Sequence, residues 1–349
     1  MSAHLNKSGG TLVTKSLIVC VLIVLLVGCA APPTAAPTPT APSASTVASR
    51  TGTIRISLTT LDTGDIPTMM VIDLLKSEGY DVQPIEFADT EVETAALAGG
   101  QIDIGRVSTV THWAAVAKGA KILTVMEMSA NDWYLLAKPE IKSCADLQGH
   151  SVGVTSTGSL SAALLKAYIQ QNCPGTTTNT LVISNSEARA TAMLANQMDA
   201  SLLKMGDAVR LQRKAPGRFP TLANFSQDLR ALKVSGVFTN ADFASQHPDR
   251  VKDVIRAYLT IHRQIRQDPS QVSRQLMERM NLDADTAGAL AQSYQAQNIW
   301  DVNGGMTMQD IQYSLDFFTH SGSLPPALKP QDVADLSYLD AVLADMGRQ

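Results

Sequence analysis

Hydroxyl side chains crowd one short turn of this chain, Thr155-Ser156-Thr157-Gly158-Ser159, directly before the run LSAALLKAYIQQN. If that run is a helix, its first N–H groups have no partner inside the helix and carry the positive end of the dipole. A turn of this composition then offers donors to an oxyanion or other polar group. Gly158 lets a ligand approach the backbone closely. The same residues also describe an ordinary turn with Ser159 as N-cap. Ser108-Thr109, before THWAAVAKG, repeats the arrangement with the same alternative for Ser108. Arg106 and Lys204 can each pair with an anion, or point outward and bridge surface acids. Asp62, two residues after Thr60 and two before Gly64, can accept from an amine or a ring N–H, or serve as a turn residue. Trp133, following Asn131-Asp132, and Trp300, near Asn303 and Gly304-Gly305, can stack on a flat ring or a cation, or join the core. Trp113 with His112, and Met69, Met70, Met126 and Met128, read as packing.

Candidate residues gain meaning from the elements that position them. TIRISL (53–58) alternates apolar and polar residues as a strand does, and PTMMVIDLLKSEG reads as a helix opened by Pro67 and stopped by Gly79. Residues 81–87 are a second strand, with Pro84 pointing to an edge position. Thr90-Glu91-Val92-Glu93 has capping-box spacing, and 102–107 is a third strand. Residues 121–128 and 133–138 read as further strands. A second set follows: strand 151–154, the helix after Ser159, strand 180–184, helix 186–196, strand 199–204 and a final strand 233–239. Beyond Ala241 the pattern is helical, including 283–297, 307–320 and 332–346. Two successive alternating sets imply two α/β lobes, with the helical tail returning to the first. In open α/β sheets ligands sit beyond the carboxyl ends of strands. That rule selects the loops holding Thr60 and Asp62, Arg106 to Thr109, Thr155 to Ser159, Ser184-Asn185, and Lys204-Met205.

The amino-terminal stretch reads as a leader. Lys7 and Lys15 precede an apolar run from Leu17 to Val27 that ends in Leu-Val-Gly-Cys29. The run is too short to span a ~30 Å hydrocarbon core. Residues 1–28 therefore read as a signal peptide. Residues 29–51, with Pro32, Pro33, Pro37, Pro39 and Pro42, read as an extended tether; at about 3.1 Å per residue, its residues 30–50 reach up to ~65 Å. Without Lys7 and Lys15 the chain carries 26 basic and 32 acidic residues, a formal charge of −6. No Lys/Arg run stands out, which argues against nucleic-acid partners. No HExxH or Walker loop occurs, no Cys/His spacing suggests a metal, and no cofactor motif is present. Cys144 precedes strand 151–154, and Cys173 ends the helix that follows it. A helix returning antiparallel brings both to one edge, so a Cys144–Cys173 disulfide is expected.

Several segments together resemble a known family. Gly79-Tyr80-Asp81-Val82, ALAGGQIDIGRVS, WAAVAKGAKI, DLQGHSVGVTSTGS and VFTNADFASQHPDRV follow one another in the order and spacing of ABC-importer solute-binding proteins. The group is the one that includes sulfonate, taurine, nitrate and thiamine-pyrimidine binders (NMT1/THI5-like), and the resemblance spans about residues 53–320. Cys29 resembles a bacterial lipobox, which implies lipidation there and anchoring to the outer face of the membrane. The resemblance implies an α/β, two-lobed type II periplasmic-binding-protein fold with two crossing hinge strands and a helical C-terminal tail. Lobe one is then 52–137 plus 233–349, and lobe two 138–232. It also implies a monomer that binds a small-molecule ligand and meets ABC permease and ATPase subunits. In such a protein the Thr155–Ser159 turn takes the ligand's acidic or polar end. Thr60, Asp62, Arg106, Ser108, Thr109, Asn131, Trp133, Ser156, Thr157, Ser159, Lys204 and Trp300 are the expected ligand contacts, with no catalytic residue. The rivals are a pyrimidine-synthase-like enzyme on the same fold and a lipid-anchored sensor.

Overall fold

A computed structural model of the chain describes residues 52–59 and 62–349. The expected leader, Cys29, the tether and Thr60 lie outside the described residues.

Ten strands build two sheets among the described residues. The first sheet contains β1 (Thr53–Thr59), β2 (Asp81–Phe87), β3 (Ile104–Ser108), β4 (Ile122–Glu127) and β10 (Ser235–Asn240), in the order β2-β1-β3-β10-β4. The second contains β5 (Trp133–Ala137), β6 (Ser151–Val154), β7 (Asn179–Val182), β8 (Ala200–Lys204) and β9 (Thr221–Asn224), in the order β7-β6-β8-β5-β9. The consecutive strands of each lobe pair in parallel, β1 with β2 and β3, β6 with β7 and β8. Each sheet then takes in one antiparallel strand that has just arrived from the other lobe: β10 between β3 and β4, and β5 between β8 and β9. The chain therefore crosses between lobes twice, at 128–132 and 229–234. Pro84 sits in β2, on the sheet edge where a missing N–H does no harm.

Helices cover both sheets. In the first lobe these are α1 (Ile66–Ser77), α2 (Thr90–Ala98) and α3 (Thr109–Val116); in the second, α4 (Leu160–Asn172), α5 (Ser186–Leu194), α6 (Met205–Lys214) and the short α7 (Phe225–Asp228). The tail supplies α8 (Ala241–Gln246), α9 (Pro248–Gln267), α10 (Ser270–Met280), α11 (Ala284–Ala296), α12 (Met308–His320), α13 (Pro330–Val333) and α14 (Ser337–Met346). The tail packs chiefly on the first lobe, α9 against α1, and α13 and α14 against β4. Ile54, Ile56, Leu75, Val254, Leu259, Leu290 and Val342 share one buried cluster there. A second cluster passes through both lobes, from Trp113, Phe238 and Phe318 to Val152, Leu164 and Leu202.

Four local readings change. Trp133–Ala137, placed by sequence in lobe one, is a central strand of the second sheet. Leu135, Leu136 and Ala137 are fully buried, and Leu135 and Leu136 are paired on both sides, so the first crossing precedes this strand. Asp89, not Thr90, caps α2, accepting from the Val92 N–H at 2.8 Å. That leaves Glu93 buried, where it accepts from the Arg106 N–H and lies 3.0 Å from His112 Nε2. Ser108 makes no side-chain cap; its hydroxyl bonds Thr111 Oγ1 at 2.7 Å. The expected helix 332–346 breaks between α13 and α14, because Ala334 forms an isolated parallel bridge with Thr124 and the Asp335 N–H donates to the Thr124 carbonyl.

Cys144 and Cys173 form the expected disulfide, Cα–Cα 5.7 Å, joining the segment before β6 to the C-cap of α4. Beside the second crossing, Lys233 Nζ lies 3.2 Å from Glu127 Oε1, and both residues are buried.

Candidate functional site

The carboxyl ends of the parallel strands of both sheets, with the amino ends of β5 and β10, face one cleft, which holds a cavity of about 130 Å³. The first lobe contributes the turn after β1. There Asp62 Oδ1 accepts from Gly64 N at 2.7 Å, and Asp65 Oδ2 accepts from Asp62 N at 2.9 Å. This capping box turns Asp62 outward and Asp65 inward. Asp65, buried, forms an ion pair with Arg106, which is fully buried and donates through Nε to the Ser57 carbonyl at 3.0 Å. Burial alone would raise the Asp65 carboxyl, but Arg106 and then Lys204 hold it below the usual carboxylate range. Arg106 therefore fastens the β1 turn to β3 and does not line the cavity.

Asp62 pairs across the cleft with Lys204, the last residue of β8, which stands opposite Trp133 in the sheet register. Burial, and then neighbouring Asp65, raise the Asp62 carboxyl, while Lys204 pulls it down; the net direction is up. Next to this pair the walls touch. Thr63 Oγ1 lies 2.7 Å from the Tyr294 hydroxyl, and a Cβ on Gly206 would collide with Thr63 Oγ1. Only glycine at 206 lets α6 approach the β1 turn this closely. A further cross-lobe bond runs from Ser156 Oγ to Glu91 Oε1, 2.9 Å.

In the second lobe the hydroxyls of the 155–161 turn are spent largely on the turn itself. Ser159 Oγ donates to the Ser156 carbonyl at 2.7 Å and accepts from the Ser156 N–H at 3.1 Å; Ser161 Oγ accepts from the Thr155 N–H at 2.8 Å. The rest of this wall comes from α5 and α6. Arg189, fully buried on α5, donates Nε to the Leu202 carbonyl at 2.9 Å and Nη1 to the Ile183 carbonyl at 2.7 Å. Its Nη2 has no partner among the described residues. Burial lowers this guanidinium to about 10, against the pull of Asp207. Its Cζ lies 5.9 Å from the Trp133 ring centre. Asp132, 7% exposed in the first crossing, lines the same cavity and is pushed up to about 7 by burial, with Lys204 opposing and Asp62 and Asp65 adding.

Of the residues expected from sequence, Asp62, Ser108, Trp133, Ser159 and Lys204 meet in the cavity lining. Ser156 stands at the rim bonded to Glu91, and Thr157 is exposed. Thr109 is buried, its N–H donating to the Val234 carbonyl. Asn131 braces the first crossing, accepting from Trp133 N and donating to the Leu229 carbonyl. Trp300 packs on Tyr294, ring centres 4.7 Å apart. Arg189, Asp132 and Ser235 were missed. Asp132, between Asn131 and Trp133, could have been chosen from its neighbours; Arg189 in SEARATAML gives no such signal.

One hydrolase-like spacing also occurs, Gly149-His150-Ser151-Val152-Gly153. A nucleophile elbow needs its serine on a strand-to-helix turn. Ser151 instead opens β6, and its hydroxyl and His150 Nδ1 both turn to Asp199, at 2.7 and 3.2 Å. Lys138 pairs with the same carboxylate. The group braces a strand start. Among the described residues no cluster of His, Cys, Asp and Glu is placed to hold a metal ion.

Two sheets joined by two crossings around a shared cleft define a type II periplasmic-binding-protein fold. Residues 73–272 match the NMT1/THI5-like family model, and the chain belongs to that family. Solved structures share the fold at low identity. The alkanesulfonate-binding protein SsuA from Xanthomonas axonopodis pv. citri, bound to MOPS, is 18% identical over 80% of this chain and 97% of its own, with a TM-score of 0.65. The nitrate-binding protein NrtA from Synechocystis PCC 6803 is 12% identical over 84% and 89%, with a TM-score of 0.68. A Candida albicans gene product with the generic periplasmic-binding-protein fold is 13% identical over 84% and 95%, with a TM-score of 0.63. No curated protein sequence matches the chain.

Proposed function

We propose that this chain is the extracytoplasmic solute-binding component of an ABC importer. It captures a small organic molecule with a polar or anionic end between its lobes and presents it to the permease. The observation that carries this reading is the cavity itself: both lobes wall it, it lies at the carboxyl ends of both sheets' parallel strands, and buried polar groups line it. A ligand touching both walls stabilises the closed arrangement by its differential affinity, and the closed shape is what a permease can read. SsuA and NrtA, which share the fold, bind an alkanesulfonate and nitrate, and the ligand class proposed here lies in that range. No bond is made or broken in this scheme, so the protein is a receptor and not an enzyme.

Residues 1–28 are proposed as the leader, Cys29 as the lipidated anchor and 29–51 as the tether, with lobe one at 52–132 plus 233–349 and lobe two at 133–232. Mass spectrometry of the membrane-extracted protein should find acyl chains on Cys29, and Cys29→Ser should release the protein from membranes. A thermal-shift screen over sulfonates, nitrate, pyrimidines and vitamins tests the central reading, since a true ligand raises the melting temperature by mass action. The hit should also contract the scattering profile. A screen without hits, or turnover of a hit by the purified protein, would overturn the proposal.

A further inference from the structure

The two lobes are tied across the cleft by charged groups of their own. Lys204 ends β8 in the second lobe, and its ammonium forms an ion pair with Asp62, in the turn after β1 of the first. The two side chains are only 19% and 18% exposed. Burial works against the charged ammonium, but Asp62, then Asp65 and Asp132, raise it above its ordinary value.

Both partners are held in place from behind. Asp62 Oδ1 accepts from the Gly64 N–H, and the Asp62 N–H donates to Asp65, which leaves Asp62 Oδ2 for Lys204. Asp65 is in turn anchored to the buried Arg106. On the facing wall the Lys204 N–H donates to Ser186 Oγ at 3.2 Å, and Gly206 lets α6 come up against Thr63. An exposed pair gains little because two loose side chains must be ordered in water. Here the backbone and the neighbouring side chains have already set the geometry.

Asp62 and Lys204 belong to different lobes, so rotation about the crossings at 128–132 and 229–234 separates them. The pair is made when the lobes are together and lost when they part, and a contact of that kind shifts the balance between two arrangements. We infer that Asp62 and Lys204 form an interlobe latch, which biases the chain towards the closed arrangement before any solute contributes. Both are then positioning residues. They act on a solute indirectly, by setting how much of the closing free energy it has to supply. The inference concerns the lobes alone and stands apart from the solute-binding reading.

Small-angle neutron scattering from the full chain in contrast-matched detergent, with no solute added, tests this. Lys204→Met should give a larger radius of gyration than the parent. Asp62→Asn should shift it in the same direction, and the double variant should open no further than Lys204→Met alone, because one interaction is being removed. Asp62→Asn is close to isosteric and keeps the cap on Gly64, so it carries the test if Lys204→Met does not fold. Lys121→Met, which breaks an exposed pair with Asp242 inside the first lobe, should leave the profile unchanged. Profiles identical to the parent's in Lys204→Met and Asp62→Asn, additive shifts in the double variant, or an equal shift in Lys121→Met would overturn the latch. A hit in the thermal-shift screen would uphold the solute-binding reading even then.

Discussion

Arg106 and Arg189 are both fully buried, both close to the cleft, and differ in what faces them. Arg106 sits under the first lobe's wall, locked to Asp65 and the Ser57 carbonyl. Arg189 backs the second lobe's wall, its Nε and Nη1 tied to backbone carbonyls and its Nη2 without a hydrogen-bond partner among the described residues. Burial and charge are the same in the two cases; an internal carboxylate faces one guanidinium, and backbone carbonyls face the other. The contrast extends to the whole cleft. The first wall has an ion pair beneath it at Arg106, whereas the second is backed by a guanidinium that, among the described residues, is bonded to carbonyls.

The sharpest way to break this contrast is to remove each cation in turn. Arg106→Met strands the Asp65 carboxylate in the core and should cost about 3–5 kcal/mol in urea unfolding. Arg189→Met strands only carbonyls, so its unfolding cost should be smaller, about 1–3 kcal/mol. Equal costs for the two would erase the distinction.

A smaller effect concerns Asp132. Its carboxyl titrates near 7 in the folded protein and near 4 when unfolded. Between those values the folded state holds a proton that the unfolded state has lost, so this residue's contribution to stability falls as pH rises from about 4 to about 7. Asp132→Asn removes that slope. Relative to the parent, the variant should gain stability steadily as pH rises from about 4 to about 7 in parallel denaturation curves, and the gain should level off above that. His262 acts in the opposite sense: burial lowers it to about 4, so its contribution weakens as pH falls from about 6.5 towards 4. For that reason the difference between variant and parent is the quantity to measure. The smallest effect is expected at the rim. Ser156→Ala removes one cross-lobe bond to Glu91 and should change stability by less than about 1 kcal/mol.

The alternation of strands and helices was legible because each buried face imposes its own period, and the lobes' parallel strands stood out as short β-rich runs bounded by turns. The placement of β5 was not, since WYLLA looks the same in either sheet and only its pairing with β8 and β9 decides. Asp62, Trp133 and Lys204 could be picked because strand ends are where clefts form. Arg106 was attractive for the same reason, yet its partner Asp65 lies 41 residues away in sequence, and nothing local announces the pair. Arg189 lies near the start of a helix whose first seven residues are otherwise small or polar, where a cation normally faces water; its burial comes from β8 packing behind α5. The hydroxyl-rich turn shows a further limit: composition revealed the donors but not that the turn uses many of them on itself.

The position of β10 has a consequence for how the chain assembles. The strand completes the middle of the first sheet, yet it follows the entire second lobe in sequence. A chain emerging amino end first leaves β3 and β4 with bare, unbonded edges until residue 240 appears. Such edges invite pairing with other chains. Any helper that meets the nascent protein has the most to shield during that interval, and a truncation anywhere before residue 235 should leave a sticky half-sheet in place of a smaller folded lobe.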